Sequence, residues 1–306
     1  MKKYVAVLGL LAVPFFCSCR SVQQLPAPYI IDTHIHLYDT EREAGVDWPP
    51  PSDKVLYRPV LPEHFDAICA QNGVASTVIV EASSRPEDNQ WMLDLVKHNP
   101  RRYRALVGSL PIGTDEFRPL LKRYVQNERF VGIRLRARAE RDNFFTDAVW
   151  RDLRLLAKHG CVLDILLANF SLKDVDRIAE EVPNLKIMVN HVTGLEITGE
   201  PLDPAWIAEV REVAENENVY CKVSGIFQRS GKMPAPKERA YYTPVFEVVF
   251  NAFGEDRVVY GSNWPVTDRG GTYAEQLSII QSYFELKGER VVKKLMADNA
   301  RTFYGL

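Results

Sequence analysis

The feature that most constrains the fold is an alternation of short apolar segments with stretches of helical periodicity. Eight segments rich in Val, Ile and Leu occupy residues 29–37, 74–82, 103–111, 130–137, 160–168, 185–192, 219–227 and 257–263. Near-continuous apolar runs of this length are typical of parallel strands that are buried on both faces. Eight strands, each followed by a helix, predict a single-domain α/β fold, a (β/α)8 TIM barrel, over residues 29–306.

An open, doubly wound sheet is the alternative architecture, but no G-x-G-x-x-G motif follows the first strand. The sequence also predicts where some of the helices begin. Ser171 precedes a helical pattern with an acid three residues later, and Asp203 is followed by Pro204. In a (β/α)8 barrel the chemistry lies at the C-terminal ends of the strands, so candidate site residues are sought there.

The N-terminal residues differ in character from the rest of the chain. Two lysines precede an apolar run that is too short to span a bilayer, and the run ends with Ser18 before Cys19. This pattern resembles a bacterial lipoprotein signal, with a plain secretory signal as the alternative. We expect removal of residues 1–18, a lipid anchor on Cys19, and a linker over residues 19–28. The predicted location is the membrane of a bacterial cell envelope, periplasmic or at the cell surface.

The charge and cysteine content narrow the range of partners. The chain has a formal net charge of −2, and loss of the two N-terminal lysines makes it more acidic. This argues against nucleic acid and leaves a small-molecule substrate as the expected partner. Cys69, Cys161 and Cys221 are widely spaced in apolar contexts, so we predict core packing and neither a disulfide framework nor a zinc knuckle.

Histidines end the first and sixth predicted strands. In DTHIH, Asp32, His34 and His36 have equal parity and are expected to point to one face. His191, in NHVTG, lies at the same level of strand six. Two histidines from one strand and one from another could form a His₃ zinc site with an open fourth position. Histidines hydrogen-bonded inside the core are the alternative interpretation.

Arginines end the fourth predicted strand. Arg134, Arg136 and Arg138 share parity in GIRLRAR. Guanidinium groups bind carboxylates bidentately, so arginines at a barrel mouth favour an anionic or polyhydroxylated substrate. Pairing with loop acids such as Asp142 or Glu140 is the alternative.

Strand seven presents Lys222 and Ser224 on one face. A lysine inside an apolar strand is expected to point into the lumen, toward a carboxylate or a reacting oxygen of the substrate. Asp164, on strand five, is a candidate partner for Lys222 or for an arginine, and a structural ion pair deep in the barrel is the alternative to a role in the site.

The motifs DTHIH, GIRLRA, NHVTG, KVSG, YGSNWPV and ADNARTFYGL follow one another in this order. With them, the chain resembles the amidohydrolase superfamily, and more narrowly the amidohydrolase-2 group of lactonases and metal-dependent decarboxylases. The resemblance covers essentially the whole mature chain. It implies that His34, His36 and His191 face a metal or the substrate, and that Arg134 and Arg136 bind substrate. The bridging lysine of the wider superfamily has no match on strand four. We therefore expect one zinc ion or a metal-independent reaction, and no binuclear site.

Asn263 stands where this group usually has a catalytic aspartate. An amide cannot act as a base near neutral pH, and loss of a general base typically costs about 10²–10⁴ in rate. Three outcomes stay open: a zinc-bound water of lowered pKa, proton transfer to a histidine, or ligand binding without hydrolysis. The adjacent Trp264 joins Arg134, Arg136, Lys222 and Ser224 in the set of predicted substrate-binding residues.

The leading hypothesis is an exported hydrolase that opens a lactone or related ester of a sugar acid or carboxylate. Histidines at the barrel mouth, or a metal bound to them, would activate the water. The alternatives are a metal-dependent decarboxylase or lyase of the same group, and a non-catalytic lipoprotein that binds a metabolite or glycan.

Overall fold

The computed structural model describes residues 29–136, 144–168 and 170–306. Eight parallel strands lie in the order β1 to β8, each paired with the next. All eight predicted strands are present, and the predicted (β/α)8 barrel is confirmed. The strands are β1 (Ile30–Ile35), β2 (Val74–Val80), β3 (Tyr103–Gly108), β4 (Phe130–Leu135), β5 (Val162–Ile165), β6 (Ile187–Val189), β7 (Val219–Val223) and β8 (Val258–Tyr260).

Helices follow the strands and cover the outside of the barrel. They are α1 (Pro62–Asn72), α2 (Glu87–Leu95), α3 (Phe117–Tyr124), α4 (Asp147–Lys158), α5 (Leu172–Glu181), α6 (Pro204–Ala214), α7 (Ile226–Arg229), α8 (Arg239–Phe253), α9 (Tyr273–Phe284), α10 (Glu289–Lys293) and α11 (Asn299–Tyr304). Short 3₁₀ turns occupy Val192–Gly194, Val266–Arg269 and Glu285–Lys287, and a π-helical turn spans Lys294–Asp298.

The helix starts read from the sequence are confirmed where a side chain caps the helix. The Ser171 hydroxyl accepts the Asp174 N–H at 3.2 Å, and Asp174 bonds back to Ser171 in a capping box. The Asp203 carboxylate accepts the Ala205 N–H at 2.8 Å, with a proline at the first helical position. These caps satisfy N–H groups that have no partner within the helix.

The barrel closes between β8 and β1 through isolated contacts. Ile35 forms a parallel bridge with Trp264. The Asn263 N–H donates to the carbonyl of His34 at 2.8 Å, and the His36 N–H donates to the carbonyl of Trp264 at 2.8 Å. Because these bonds join the segment after β8 to the end of β1, they fix Asn263 beside the β1 histidines.

Asp32 does not lie on the face that the strand parity predicted. Its carboxylate accepts the Tyr273 hydroxyl at 2.9 Å and a backbone N–H from the segment after β8, also at 2.9 Å. Tyr273 belongs to α9, outside the barrel. The pairing of β1 with β2 shifts register between Asp32 and Ile35. The irregularity lets Asp32 face the helix layer while His34 faces the lumen, so the prediction of one shared face is wrong for Asp32.

The core has two large parts, besides a small cluster of Ile31, Ala297 and Ala300. One fills the space between the strands and the helices, and it includes the buried, unpaired Cys69, Cys161 and Cys221, as predicted. The other fills the lower barrel with side chains such as Val80, Val107, Val162, Met188 and Val259, together with the C-terminal aromatics of α11. Within the described ranges, no helix has the length and apolar character needed to cross a membrane.

We expect substitution of Leu153 by Ala to destabilise the fold by about 2–5 kcal/mol, because a fully buried leucine leaves a cavity when it is truncated. Leu153 lies on the inner stripe of α4. Leu286→Ala is the matched control: this side chain is 67% exposed, and its loss is expected to change stability by less than about 0.5 kcal/mol. Urea unfolding of both variants tests the assignment, and equal effects would contradict it.

Candidate active site

The site forms where the strands end earlier than predicted. β6 stops at Val189 and β8 at Tyr260. The chain then turns through left-handed backbone conformations at His191 (φ 55°) and Asn263 (φ 61°). Val192 and Thr193, which follow His191, also have positive φ. Non-glycine residues seldom adopt positive φ, and the cost is about 1–3 kcal/mol each, so such residues cluster at functional sites. The turns carry both side chains to the histidines of β1.

His34, His36 and His191 form one compact, buried cluster at the barrel mouth. The ring centroids of His34 and His36 are 5.0 Å apart, and those of His34 and His191 are 4.6 Å apart. Burial lowers the pKa of all three imidazoles, to about 3 for His36 and well below the ordinary value for His34 and His191. The nearby guanidinium of Arg134 lowers all three pKa values further, and the ammonium of Lys222 lowers those of His34 and His191. All three rings are therefore neutral at physiological pH.

Lys222 lies beneath the histidines and contacts three acceptors. Its ammonium is 2.7 Å from Asp164 Oδ2, 2.9 Å from the carbonyl oxygen of Thr33 and 3.3 Å from His34 Nδ1. Burial lowers the pKa of Lys222, while the charge of Asp164 opposes this shift. Tyr304 reinforces the pair, with its hydroxyl 3.1 Å from Asp164 Oδ1. The predicted partnership with Asp164 is confirmed, but substrate binding by Lys222 is not supported, because its donors are used within the protein.

His36 and Asn263 share a hydrogen bond whose polarity follows from the charge of the ring. His36 Nδ1 is 3.0 Å from the carbonyl oxygen of Val80, so a neutral ring carries its proton there. The other nitrogen, Nε2, then has a lone pair and needs a donor. Asn263 Oδ1 lies 3.2 Å from Nε2, and Asn263 Nδ2 points toward Gln228 Oε1. The oxygen and nitrogen of an amide exchange places when the group is rotated by about 180°, and a neutral His36 ring is satisfied when both amides are rotated so that the NH₂ group of Asn263 faces the histidine. The opposite side of this amide meets the amide of Gln228.

Ser224 contacts His191, as its position on strand seven allowed. Its hydroxyl is 2.8 Å from His191 Nδ1, and both groups are buried. A serine hydroxyl can donate to this nitrogen or accept from it. Ser224 therefore orients the His191 ring, and its predicted contact with substrate stays a prediction.

Arg134 and Arg136 converge on Glu81, at the end of β2. Arg134 Nε is 2.6 Å from Glu81 Oε1, and Arg136 binds the other carboxylate oxygen. Burial raises the pKa of Glu81, and both arginines act against this shift. The alternative partners named from the sequence, Asp142 and Glu140, lie outside the described residues, as does Arg138. Arg136 is 30% exposed while Arg134 is 6% exposed, so Arg136 is the arginine available at the mouth.

Trp264 does not line the site. Its ring packs against Phe65 of α1 with centroids 5.2 Å apart, and its side chain is buried. The indole therefore lies between the barrel wall and the helix layer, and its position does not support the predicted binding of substrate. The backbone bridge to Ile35 explains the difference, because it directs the side chain outward.

Sequence reasoning missed several residues of the site. Glu81 had a signal, an acid that ends an otherwise apolar strand. Asn190, next to His191, has a fully buried amide with neither Nδ2 nor Oδ1 hydrogen-bonded. Gln228 and Trp48 had no signal, because Gln228 lies in the four-residue helix α7 and Trp48 in an irregular segment. The Trp48 ring packs edge-on to His36 at 5.6 Å.

The predicted three-histidine zinc site does not fit the observed arrangement. His36 has both ring nitrogens engaged, one with the carbonyl of Val80 and one with the amide of Asn263. The cationic groups of Lys222 and Arg134 lie close to the rings and disfavour a further dication. Across residues 29–136, 144–168 and 170–306, no group of three or more His, Cys, Asp or Glu side chains is placed to hold a metal ion.

Comparison with known proteins agrees with the fold and the motifs. The sequence profile of the amidohydrolase family matches residues 31–306. The chain belongs to the amidohydrolase family. An L-fucono-1,5-lactonase from Burkholderia ambifaria is 27% identical over 248 residues, which cover 80% of this chain and 83% of that protein.

Solved structures share the barrel at lower identity, and they support the fold alone. An amidohydrolase from Burkholderia multivorans with bound HEPES is 21% identical with a TM-score of 0.82, covering 91% of this chain and 99% of that one. Another crystal form of that protein contains zinc. A dihydroxybenzoic acid decarboxylase from a Polaromonas species, with bound manganese, is 14% identical with a TM-score of 0.62, covering 91% and 96%.

The depressed histidine pKa values predict acid-sensitive stability. Below about pH 6.5 the unfolded chain protonates histidines that the folded chain keeps neutral, so the free energy of unfolding falls as the pH is lowered from that value. Each of these histidines contributes about 1.4 kcal/mol per pH unit in that window. Urea unfolding between pH 7 and pH 5 measures the slope.

The matched pair for this test is His36→Gln and His98→Gln. His98 is exposed on the helix side of the barrel. We expect the first variant to reduce the pH slope by the contribution of one histidine and the second to leave it unchanged. An unaltered slope in His36→Gln would contradict the neutral assignment.

Proposed function

We propose that this protein hydrolyses a lactone or related ester of a sugar acid or another carboxylate. The observation that carries the proposal is His34 Nε2, a buried ring nitrogen with no hydrogen-bond partner at the centre of the neutral histidine cluster. A buried polar atom without a partner calls for a ligand or a water. The lactonase relative supports the reaction class.

The charges around the cluster suit a reaction in which negative charge develops. Lys222, Arg134 and Arg136 bring three cationic groups, against the carboxylates of Asp164 and Glu81. Hydrolysis of an ester forms an anionic tetrahedral intermediate and ends in a carboxylate. Both species gain from an excess of fixed positive charge, and the part-exposed Arg136 is placed to bind a carboxylate or hydroxyl of the substrate.

In the proposed reaction, the oxygen of a water molecule bonds to the carbonyl carbon while one of its protons passes to a histidine. His191 is the acceptor we favour, since Ser224 can take the hydrogen bond from Nδ1 and leave a lone pair on Nε2. The intermediate then expels the ring oxygen, which takes the proton back from the histidine. The product is the open hydroxy acid. An activated ester tolerates a weak base, which matches a histidine of depressed pKa.

Purified protein is expected to open at least one member of a panel of sugar lactones faster than buffer alone. Asn263→Asp restores a carboxylate next to His36 and is expected to raise kcat by about 10²-fold, the lower range for a general base. Asn184→Asp, on an exposed loop, makes the same chemical change away from the site and should have no effect. Product acid release measured by a pH indicator gives the rates.

Other outcomes of this assay discriminate between the alternatives. Release of CO₂ from a hydroxybenzoate, lost on chelation, would replace the proposal with the decarboxylase class. Ligand-dependent thermal stabilisation without turnover, and no gain in Asn263→Asp, would indicate a binding protein.

We further propose that the chain is exported and anchored by lipid on Cys19. The support is the sequence pattern of two lysines, a short apolar run and a small residue before the cysteine. We expect incorporation of a labelled fatty acid and recovery in the membrane fraction. Cys19→Ala should lose both, whereas Cys17→Ala, inside the segment expected to be removed, should keep both. Fatty-acid labelling of Cys19→Ala equal to wild type would refute the anchor.

A further inference from the structure

Three hydrogen bonds determine which nitrogen of His34 carries the proton. The ammonium of Lys222 has three N–H groups, and its three neighbours are Asp164 Oδ2 at 2.7 Å, the Thr33 carbonyl at 2.9 Å and His34 Nδ1 at 3.3 Å. The first two can only accept. With an ammonium donor, His34 Nδ1 must also accept, so the proton of the neutral imidazole resides on Nε2.

The ammonium form of Lys222 is supported by its surroundings. The side chains of Lys222 and Asp164 are both fully buried and form an ion pair at 2.7 Å. The Tyr304 hydroxyl lies 3.1 Å from Asp164 Oδ1 and 3.4 Å from Asp164 Oδ2, and the Tyr304 ring lies 5.5 Å from the Lys222 ammonium. A carboxylate that receives a phenol donor and an ammonium is stabilised in its charged form, and it holds the proton on the lysine.

We propose that His34 donates a hydrogen bond from Nε2 to the carbonyl oxygen of the substrate, and that Lys222 is the positioning residue that fixes this tautomer. The proposal rests on the proposed ester hydrolysis. It separates the roles of the histidines: His34 stabilises the oxygen on which charge develops, and the proton of the attacking water goes elsewhere. The orphaned Nε2 atom described above is then a donor awaiting the substrate.

The same arrangement explains why a lysine is buried below the mouth. Asp164 and the Thr33 carbonyl take two of the three N–H groups of Lys222, and the third is directed at His34 Nδ1. The Lys222 side chain therefore links the ion pair to the imidazole. Its role is comparable to that of a carboxylate that orients a histidine, except that the ammonium donates a hydrogen bond where a carboxylate would accept one. A carboxylate at Nδ1 makes Nε2 an acceptor, and an ammonium at Nδ1 makes Nε2 a donor.

The direct test is the tautomer itself. Protein labelled with ¹⁵N-histidine is examined by long-range ¹H–¹⁵N correlation, and His34 is assigned from the signals lost in His34→Gln. We expect a protonated, pyrrole-type Nε2 and an unprotonated, pyridine-type Nδ1. A proton on Nδ1 in the wild-type protein would overturn the proposal. This measurement needs no substrate, so it stands even if the chain opens no lactone, in which case the proposed function fails alone.

The positioning role is tested with the double substitution Lys222→Met and Asp164→Asn, which removes both charges and leaves no unpaired buried ion. Thermal unfolding checks that the variant is folded. We expect loss of the single tautomer of His34 and a fall in kcat of about 10²-fold or more, with a smaller change in KM. Lys186→Met, at an exposed lysine that bonds carbonyls near the C-terminus, is the matched control and should keep both the signals and kcat. An unchanged tautomer and unchanged kcat in the folded double variant would exclude Lys222 from this role.

Conservative replacements of His34 decide the case if the double variant does not fold. A glutamine amide can place an N–H near the position of Nε2, whereas an asparagine amide is too short to reach it. We expect His34→Gln to retain at least about 10-fold more kcat than His34→Asn, because a donor suffices at this position. Equal loss in both variants, with a wild-type ring protonated on Nδ1, would indicate that His34 acts as the base.

Discussion

The ion pair between Lys222 and Asp164 is the interaction on which the site depends. Both groups are fully buried, and the lysine also bonds the backbone of β1 while Tyr304 of α11 bonds the aspartate. Four elements, β1, β5, β7 and α11, thus meet at one polar centre inside an otherwise apolar lower barrel. Removing one partner from a buried pair typically costs about 3–5 kcal/mol, since the other charge is left uncompensated. The centre therefore fixes the level at which the polar mouth begins.

Above this centre the side chains change from apolar to polar within one layer. Met188 and Val259 belong to the apolar lower barrel, and the next residues toward the mouth are Asn190 and the histidine cluster. The net charge of the paired groups is positive, because the carboxylate of Glu81 binds both Arg134 and Arg136 while that of Asp164 binds Lys222. A site with this balance stabilises anions and holds imidazoles neutral. The positive potential that stabilises an oxyanion also disfavours a bound dication. The two arginines after β4 and the lack of the bridging lysine of the wider superfamily in that strand therefore have the same electrostatic consequence.

The sequence was sufficient for the fold and for the polar strand-end residues that gather at the barrel mouth, because both follow from periodicity. All eight strands were found, and His34, His36, His191 and Asn263 come together as strand-end positions in a barrel must. What failed was the direction of individual side chains. Asp32 faces the helix layer because β1 pairs irregularly with β2, and Trp264 points outward because its backbone is bonded to β1. Parity is reliable only where the strand pairing is regular.

Only some of the ion-pair partners of the charged residues could be predicted from the sequence. The pairing of Lys222 with Asp164 was within reach, since both lie inside apolar strands that cannot tolerate a lone charge. The pairing of Arg134 and Arg136 with Glu81 was not, because loop acids close in sequence were equally plausible partners. Contacts from the short elements after the strands, such as that of Gln228 in α7 with Asn263, depend on local conformations that no pattern specifies.

The contact between Asn263 and His36 gives the asparagine a role that an aspartate could not fill. A carboxylate at this position would accept from Nε2, and with the Val80 carbonyl at Nδ1 it would favour a doubly protonated, cationic ring. The asparagine, with its amide rotated so that NH₂ faces Nε2, can instead donate an N–H to a neutral ring, in accordance with the lowered pKa of His36. Its side chain also suits the left-handed backbone that follows β8, which asparagine adopts more readily than most residues. Asparagine in place of the usual aspartate thus removes a base from the barrel mouth, and it also keeps the His36 ring uncharged. Proton transfer in a hydrolytic cycle then falls to a histidine that starts neutral, and the oxyanion is left to His34 and the surrounding cations.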